Sequence, residues 1–152
     1  MEQMGKHHNL PPFNEDEWMR LVFLLSDTQA WLDNLIKDMF HQLPIRERKQ
    51  LFKRQYHLSA SAMAHILERH YHKVQRHPGT GKFIVPLTDV LFHLREAGQA
   101  EAFPINGSCN FYRSIETGVA LGFDRNGKST STITVITNPY GNIITAFPGG
   151  IQ

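Results

Sequence analysis

The change of sequence pattern near Phe103 is the feature that most constrains the fold of this chain. Before it, apolar residues recur at the spacing of amphipathic helices. After it, short stretches rich in β-branched and aromatic residues are separated by turn sequences. Because the helices precede the strands, without βαβ alternation, the predicted class is α+β. We expect N-terminal helices followed by a small twisted antiparallel β-sheet of three to four strands packed on helices.

The first helical region, residues 13–57, carries clear local signals. Asn14 is a predicted cap in front of three acidic residues, and a contact between Phe13 and Trp18 is expected to fix that helix start. Asp27 is a possible break in the apolar pattern. Pro44 is expected to open another short helix that carries five basic residues and one acid.

The next predicted helix covers residues 58–77. Ser59 or Ser61 is its expected cap, and Pro78 with the glycine after it is expected to end it. A further helix is predicted to start near Pro86 or Thr88 and to end at Gly98.

Three strand-like segments follow, and the turn sequences DRNGK and NPYGN separate them as hairpin connections. The predicted strands lie within residues 110–123, 131–138 and 142–147. The sequence thus predicts an antiparallel meander with helices covering one face.

Composition limits the classes of protein this chain can be. Its 152 residues, 41% of them apolar, can bury a core, and a net charge of +2 permits an acidic or nucleic-acid partner without requiring one. A single cysteine, Cys109, excludes an internal disulfide and favours folding in a reducing compartment. No apolar run reaches the length of a membrane span. The N-terminal residues lack the apolar core of a signal peptide, so export would depend on a larger polypeptide.

The segment HILERHYHKVQRH, residues 65–77, holds four histidines, two arginines and a lysine. None of its histidine pairs has the i, i+4 spacing with which a helix chelates one metal ion, and His65 and His72 would lie about 10 Å apart along the helix. A helical wheel places His70 with the apolar residues and His65 with the basic ones. A buried structural histidine and a solvated basic face explain this pattern as well as a functional site does.

The GTGK sequence that follows is not a phosphate-binding P-loop. Arg76 stands where the first glycine of that motif belongs, and Phe83 stands where serine or threonine should follow the lysine. A lysine contact to phosphate from this turn stays possible, through Lys82.

Histidine near neutral pH can take and give protons, while arginine and lysine stabilise charge growing on a phosphate. Together they suit one metal-free reaction, the attack of an RNA 2′-hydroxyl on its own phosphodiester to give a 2′,3′-cyclic phosphate. Aromatic residues such as Tyr112 and Phe147 could stack on unpaired bases, although most strand aromatics belong to a core.

The closing segment GNIITAFPGG, together with HILERH upstream, resembles the C-terminal nuclease domains of contact-dependent growth inhibition (CdiA-type) and other polymorphic toxins. Many of these belong to the barnase/EndoU/colicin/RelE-like (BECR) group of metal-independent RNases, and others have an RNase A-like fold. The resemblance covers about residues 57–150. It implies a helical N-terminal extension over residues 1–57 and an α+β nuclease toxin domain over residues 58–152.

The resemblance also implies roles for individual residues. His70 matches the family histidine most closely and His65 is the second candidate, with base and acid roles left open between them. The other implied catalytic residues are Arg69, Lys82 and Thr145. The substrate-binding candidates are Arg113, Tyr112, Phe147, Lys73 and Arg76.

The resulting expectation is an antibacterial endoribonuclease that cleaves RNA, with tRNA as the expected substrate, and that uses neither a metal nor another cofactor. The resemblance further implies a cognate immunity protein as partner, and export within a larger bacterial effector that acts in the cytoplasm of the target cell. Two alternatives stay open: a non-catalytic RNA- or protein-binding module, and a toxin of different chemistry, such as a DNase or a nucleotide-modifying enzyme.

Overall fold

The computed structural model describes residues 13–40 and 56–151, with side chains for 13–30 and 56–151. Within these residues the chain forms three helices and seven strands. The helices are α1 (Glu15–Phe40), α2 (Ala60–His70) and α3 (Leu87–Ala97). The strands are β1 (Lys82–Phe83), β2 (Phe103–Pro104), β3 (Phe111–Glu116), β4 (Gly122–Phe123), β5 (Ser129–Thr130), β6 (Thr132–Thr137) and β7 (Ile143–Pro148). The predicted α+β class is confirmed.

Helix α1 begins as the sequence predicts. The Asn14 side chain accepts a hydrogen bond from the amide of Glu17 at 3.1 Å, and the rings of Phe13 and Trp18 are 6.3 Å apart between centroids. The expected break at Asp27 is wrong, because α1 continues through it to Phe40. The helix predicted to open at Pro44 lies outside the described residues.

Helix α2 starts at the predicted cap, where the Ser59 hydroxyl accepts a hydrogen bond from the amide of Ala62. Its predicted extension to residue 77 is wrong, since the helix ends at His70 and Tyr71 has extended backbone angles. Tyr71 forms a parallel bridge with Phe83, and the next amide donates to the Phe83 carbonyl at 3.1 Å. Pairing with a distant strand therefore overrides the local helical preference.

A network of polar contacts, which we call the clasp, holds the chain where it leaves α2. The Tyr71 hydroxyl donates to the Glu15 carboxylate at 2.5 Å, and the Leu87 amide donates to the same oxygen at 2.9 Å. Lys73 forms an ion pair with the other oxygen of Glu15 and lies 3.8 Å from Asp16. The clasp ties the first turn of α1 to the end of α2 and the start of α3.

Helix α3 confirms its predicted limits, with Pro86 at its N-cap and Gly98 at its C-cap. The helix buries Leu87, Val90 and Leu94. Pro86 suits a helix start for two reasons. Its ring fixes φ, and its missing amide hydrogen would have had no partner within the helix at that place.

The strands form a three-stranded sheet in the order β1-β4-β5 and a four-stranded sheet in the order β2-β3-β6-β7, both antiparallel. The predicted strand over residues 110–123 divides between these sheets as β3 and β4. The turn DRNGK joins β4 to β5 and the turn NPYGN joins β6 to β7. Each contains a glycine with positive φ, 80° at Gly127 and 87° at Gly141.

The register of the larger sheet defines its two faces. Val135 pairs with Arg113 and Ala146, so these three side chains share the face that packs on the helices. Ile136 pairs with Tyr112 and Thr145, which therefore share the opposite face. Phe147 belongs to this second face as well, two residues after Thr145 on β7.

One hydrophobic core joins α1, α2, α3 and both sheets. Met19 and Val22 of α1 pack in the same cluster as Leu67, Phe83 and the sheet residues. The described part of α1 therefore stabilises the region that carries the histidines. Among the described helices, none combines the length and the apolar character that crossing a membrane requires.

Candidate active site

A cleft of about 350 Å³ opens where the end of α2, the loop before β1, the β4–β5 turn and the end of β7 meet. It is lined by His70, Gly79, Thr80, Gly81, Asp124, Arg125, Phe147, Pro148, Gly150 and Ile151. Of the residues that the sequence singles out, His70 and Phe147 line it directly.

Close backbone contacts hold this cleft together. A Cβ atom at Gly81 would lie 2.8 Å from the Phe123 carbonyl oxygen, and one at Gly149 would lie 2.9 Å from the Asp124 Cβ. Gly149 also has a φ of 103°, which side-chain-bearing residues rarely adopt. The absence of a side chain at both positions lets three chain segments meet around Asp124.

His70 occupies the last turn of α2 with its ring oriented by a backbone contact. Its Nδ1 lies 2.9 Å from the Gly81 carbonyl oxygen, which can only accept, so Nδ1 carries the proton and Nε2 carries the lone pair of the neutral ring. Nε2 has no hydrogen-bond partner among the described residues. The ring lies 5.9 Å from that of Phe147 and 6.5 Å from that of His65, between centroids.

Burial lowers the pKa of His70 to about 4, against the opposing effect of its hydrogen bond to Gly81. His65, Lys82 and Arg69 add smaller repulsive contributions. The ring is therefore neutral at pH 7, with Nε2 ready to accept a proton. An anion bound beside it would stabilise the imidazolium and raise this pKa.

Two cations flank His70 at the end of α2 without lining the cleft themselves. The Lys82 ammonium donates to the Arg69 carbonyl at 2.6 Å, and the Thr80 hydroxyl lies 2.5 Å from the same oxygen. A cation at a helix C-terminus satisfies an end carbonyl and suits the helix dipole. Burial lowers the pKa of Lys82. The exposed Arg69 guanidinium forms no ion pair within the described ranges.

His65 lies on α2 next to His70 and is half-buried. Burial lowers its pKa first of all, and the neighbouring Arg69 lowers it further. His65 is in ring contact with His70 but does not line the cleft.

Thr145 has the one buried side-chain polar atom without a hydrogen-bond partner in the part of the chain that the structure describes, its Oγ1. Native proteins rarely leave such groups unpaired, because burial without a hydrogen bond costs about 1–3 kcal/mol. Thr134 on β6 is a useful contrast. Its hydroxyl lies 2.7 Å from that of Ser114 and donates to the Gly149 carbonyl at 2.6 Å.

Four of the five substrate-binding candidates, all except Phe147, do not line the cleft. The strand register puts Arg113 on the helix-packing face of the sheet, opposite to the face that carries Thr145. There it contacts the Ala100 carbonyl, Thr137 and the ring of Tyr56.

Lys73 and Arg76 lie beyond the end of α2, outside the helix that was predicted to contain them. Lys73 belongs to the clasp, and Arg76 lies 3.7 Å from Glu68. The remaining candidate, Tyr112, is on the same sheet face as Thr145, with its ring 5.7 Å from that of Phe103.

Sequence reasoning missed the β4–β5 turn as part of the site. It read DRNGK only as a hairpin connection, whereas Asp124 and Arg125 line the cleft. The basic residue inside that turn was the available signal. Only the close packing at Gly81 and Gly149 reveals that the turn reaches His70.

Comparisons with known proteins give no relative from which a function could be inferred. No protein-family model matches the chain, and neither curated proteins nor solved structures give a match. In the described residues, no group of three or more histidine, cysteine, aspartate or glutamate side chains could hold a metal ion.

Proposed function

We propose that this chain is a metal-independent endoribonuclease whose catalytic centre is the cleft around His70. The observation that carries the proposal is the state of that ring. It is neutral at pH 7, it is oriented through Nδ1 on the Gly81 carbonyl, and its Nε2 has no partner among the described residues. A histidine oriented through one ring nitrogen, with the other nitrogen unpartnered beside a cleft, has the geometry of a general base.

In the proposed reaction, Nε2 of His70 removes the proton of an RNA 2′-hydroxyl. The O2′ atom attacks the adjacent phosphorus, a new P–O2′ bond forms, and the P–O5′ bond breaks. The O5′ atom leaves with a proton, and the products are a 2′,3′-cyclic phosphate and a 5′-hydroxyl. This step needs no oxidant, reductant or bound cofactor.

The cations beside His70 support the same chemistry. Arg69 and Lys82 stand where they can offset the negative charge that develops on the phosphate oxygens. Lys82, whose pKa burial lowers, is also suited to give the proton that O5′ takes. His65 is the alternative donor, since its ring lies beside that of His70.

The substrate class in this proposal is tRNA, and the biological role is that of an antibacterial toxin. Both come from the resemblance of HILERH and GNIITAFPGG to polymorphic-toxin nucleases. The same resemblance supports a cognate immunity protein as partner, and delivery within a larger effector to the cytoplasm of a target cell. Growth arrest of a bacterial host expressing the chain, lost with His70→Asn, would be the first test of that role.

A non-catalytic RNA-binding module is the second candidate. The observation that favours it is the low pKa of His70, because a base of pKa about 4 is weak at neutral pH. In such a module, removal of the charges on Arg69 and Lys82 would weaken RNA binding, while His70→Asn would leave function intact.

One experiment separates these two candidates. Purified chain is incubated with total tRNA in excess EDTA, and the fragments are resolved on a denaturing gel with end-group analysis. The proposal predicts discrete fragments ending in 2′,3′-cyclic phosphate, absent with His70→Asn. Intact RNA that nevertheless binds the chain would favour the binding module. Cleavage only after addition of Mg²⁺ would favour a metal nuclease.

A further inference from the structure

Arg125 is a cleft residue to which the sequence assigned no role. It lies in the turn between β4 and β5, lines the same cleft as His70, and is exposed. Its guanidinium forms no hydrogen bond or ion pair with any residue that the structure describes. Arg125 thus adds a positive charge from the β4–β5 turn, whereas Arg69 and Lys82 stand at the end of α2.

The turn that carries Arg125 is well ordered by its own contacts. The Asp124 carboxylate accepts hydrogen bonds from the amides of Asn126 at 2.9 Å and Lys128 at 3.0 Å. The Asp124 amide donates to the Lys128 carbonyl at 2.8 Å, and Gly127 takes the positive φ that the turn requires. Asp124 serves the turn and forms no ion pair with Arg125.

The same turn is packed directly against the segment that orients His70. Gly81, whose carbonyl holds the His70 ring, approaches the Phe123–Asp124 backbone so closely that a Cβ would be 2.8 Å from the Phe123 oxygen. The backbone of Arg125 is therefore fixed relative to His70. A side chain on a fixed backbone loses less conformational entropy when it binds a ligand.

We infer that Arg125 binds a backbone phosphate of single-stranded RNA next to the one that is cleaved, an inference that rests on the proposed function. A guanidinium offers paired donors that match phosphate oxygens. Arg69 and Lys82 already stand beside His70, where the scissile phosphate would lie. Arg125 approaches from a different wall of the cleft, so its phosphate belongs to a neighbouring nucleotide. It is a substrate-binding residue, and the chemical step does not depend on it.

The test measures binding of a fluorescent single-stranded oligoribonucleotide to the full chain carrying His70→Asn, which prevents cleavage. Arg125→Gln is compared with Lys128→Gln, a matched removal of one positive charge from the same turn, at a residue that does not line the cleft. We expect Arg125→Gln to raise Kd about tenfold, as loss of a charged hydrogen bond does. The slope of log K against log salt should fall by about 0.7, the value for one phosphate of a single strand.

In the catalytically competent chain, Arg125→Gln should raise KM while leaving kcat nearly unchanged, because the contact is equal in ground and transition states. Equal Kd and equal salt slopes for the Arg125→Gln and Lys128→Gln chains would overturn the inference, and so would a lack of RNA binding. If either of these results is obtained while the wild-type chain still cleaves RNA, the proposed function stands and only the role of Arg125 is refuted. A wild-type chain that leaves RNA intact refutes the proposed function instead.

Discussion

His70 and Tyr71 are consecutive residues, yet they belong to two regions that differ in how their polar side chains are paired. In the clasp, the side chains of Tyr71, Glu15 and Lys73 all have polar partners. In the cleft, His70 Nε2 and the Arg125 guanidinium have none among the described residues. The clasp has the contacts of a structural region, while the cleft has the unpaired groups that a ligand would need.

The pKa values follow the same division. Burial alone would raise the pKa of Glu15, but hydrogen bonds from Lys73, Tyr71 and the Leu87 amide lower it below its ordinary value. Burial and the neighbouring Glu15 raise the pKa of Tyr71. Glu15 is thus held ionised and Tyr71 protonated, which are the forms that accept and donate in the clasp. His70, in contrast, is held neutral chiefly by burial. Substitutions can test whether the two regions separate stability from activity.

The largest expected effect is on catalysis, through His70→Asn. The asparagine amide can still donate to the Gly81 carbonyl, but it has no basic nitrogen in the place of Nε2. We expect the RNA cleavage rate to fall by about 10²- to 10⁴-fold, with a melting temperature near that of the wild type at pH 7. Cleavage assays and thermal denaturation of the same preparation provide the measurement. A variant with wild-type cleavage would remove His70 from the mechanism.

The next effect is on stability, through Glu15→Gln. This change removes the charge that pairs with Lys73 and weakens two other hydrogen bonds of the clasp. We expect the free energy of unfolding at pH 7 to fall by about 2–3 kcal/mol, measured by denaturant titration. The cleavage rate well below the melting temperature should stay the same. Loss of activity in fully folded Glu15→Gln protein would contradict the separation of the two regions.

The two regions should also lose stability in different pH windows. The folded pKa of His70 is depressed to about 4, so its contribution is complete above about 6.5 and is lost as pH falls toward 4. The depressed pKa of Glu15 makes its contribution disappear only below about 4.5. Between pH 6.5 and 4.5, the wild type should lose about 2 kcal/mol relative to His70→Asn, while Glu15→Gln follows the wild type.

Unfolding measured across that pH range tests both statements. Parallel curves for the wild type and His70→Asn would mean that His70 titrates normally in the folded chain.

The smallest effect compares two threonines on the same face of the sheet. Thr134→Val breaks hydrogen bonds to Ser114 and Gly149 and should cost about 1–2 kcal/mol of unfolding free energy. Thr145→Val removes a hydroxyl that has no described partner, so stability should be unchanged or higher by about 1 kcal/mol. If Thr145 contacts RNA, cleavage should weaken in spite of the retained stability. A loss of stability at Thr145 equal to that at Thr134 would show an undetected structural partner.

The sequence predicted the features that depend on neighbours along the chain. The caps at Asn14 and Ser59, the α3 limits at Pro86 and Gly98, and the turn before β7 each follow from local chemistry. The placement of His70 on the apolar side of its helix also follows from helical periodicity, and its burial agrees with it.

Features that depend on distant partners were missed. Helix α2 ends at His70 because Tyr71 pairs with Phe83, and nothing in the local pattern of residues 71–77 opposes a helix. Arg113 lies on the helix-packing face of the sheet, away from the cleft, because one residue of strand register decides which face a side chain joins. Arg125 enters the cleft only through the contacts of its turn with Gly81 and Gly149. These contacts join segments that are far apart along the chain, and no sequence pattern predicts that they meet.

The most direct measurement of the central claim uses a defined oligoribonucleotide and a copy with 2′-deoxyribose at the cleaved position, both in EDTA. The account predicts that the wild-type chain cuts the ribose substrate to a 2′,3′-cyclic phosphate. The deoxy copy should stay intact, and His70→Asn should cut neither at a comparable rate. Cleavage of the deoxy copy, or equal rates with His70→Asn, would contradict the assignment of His70 as the base that activates the 2′-hydroxyl.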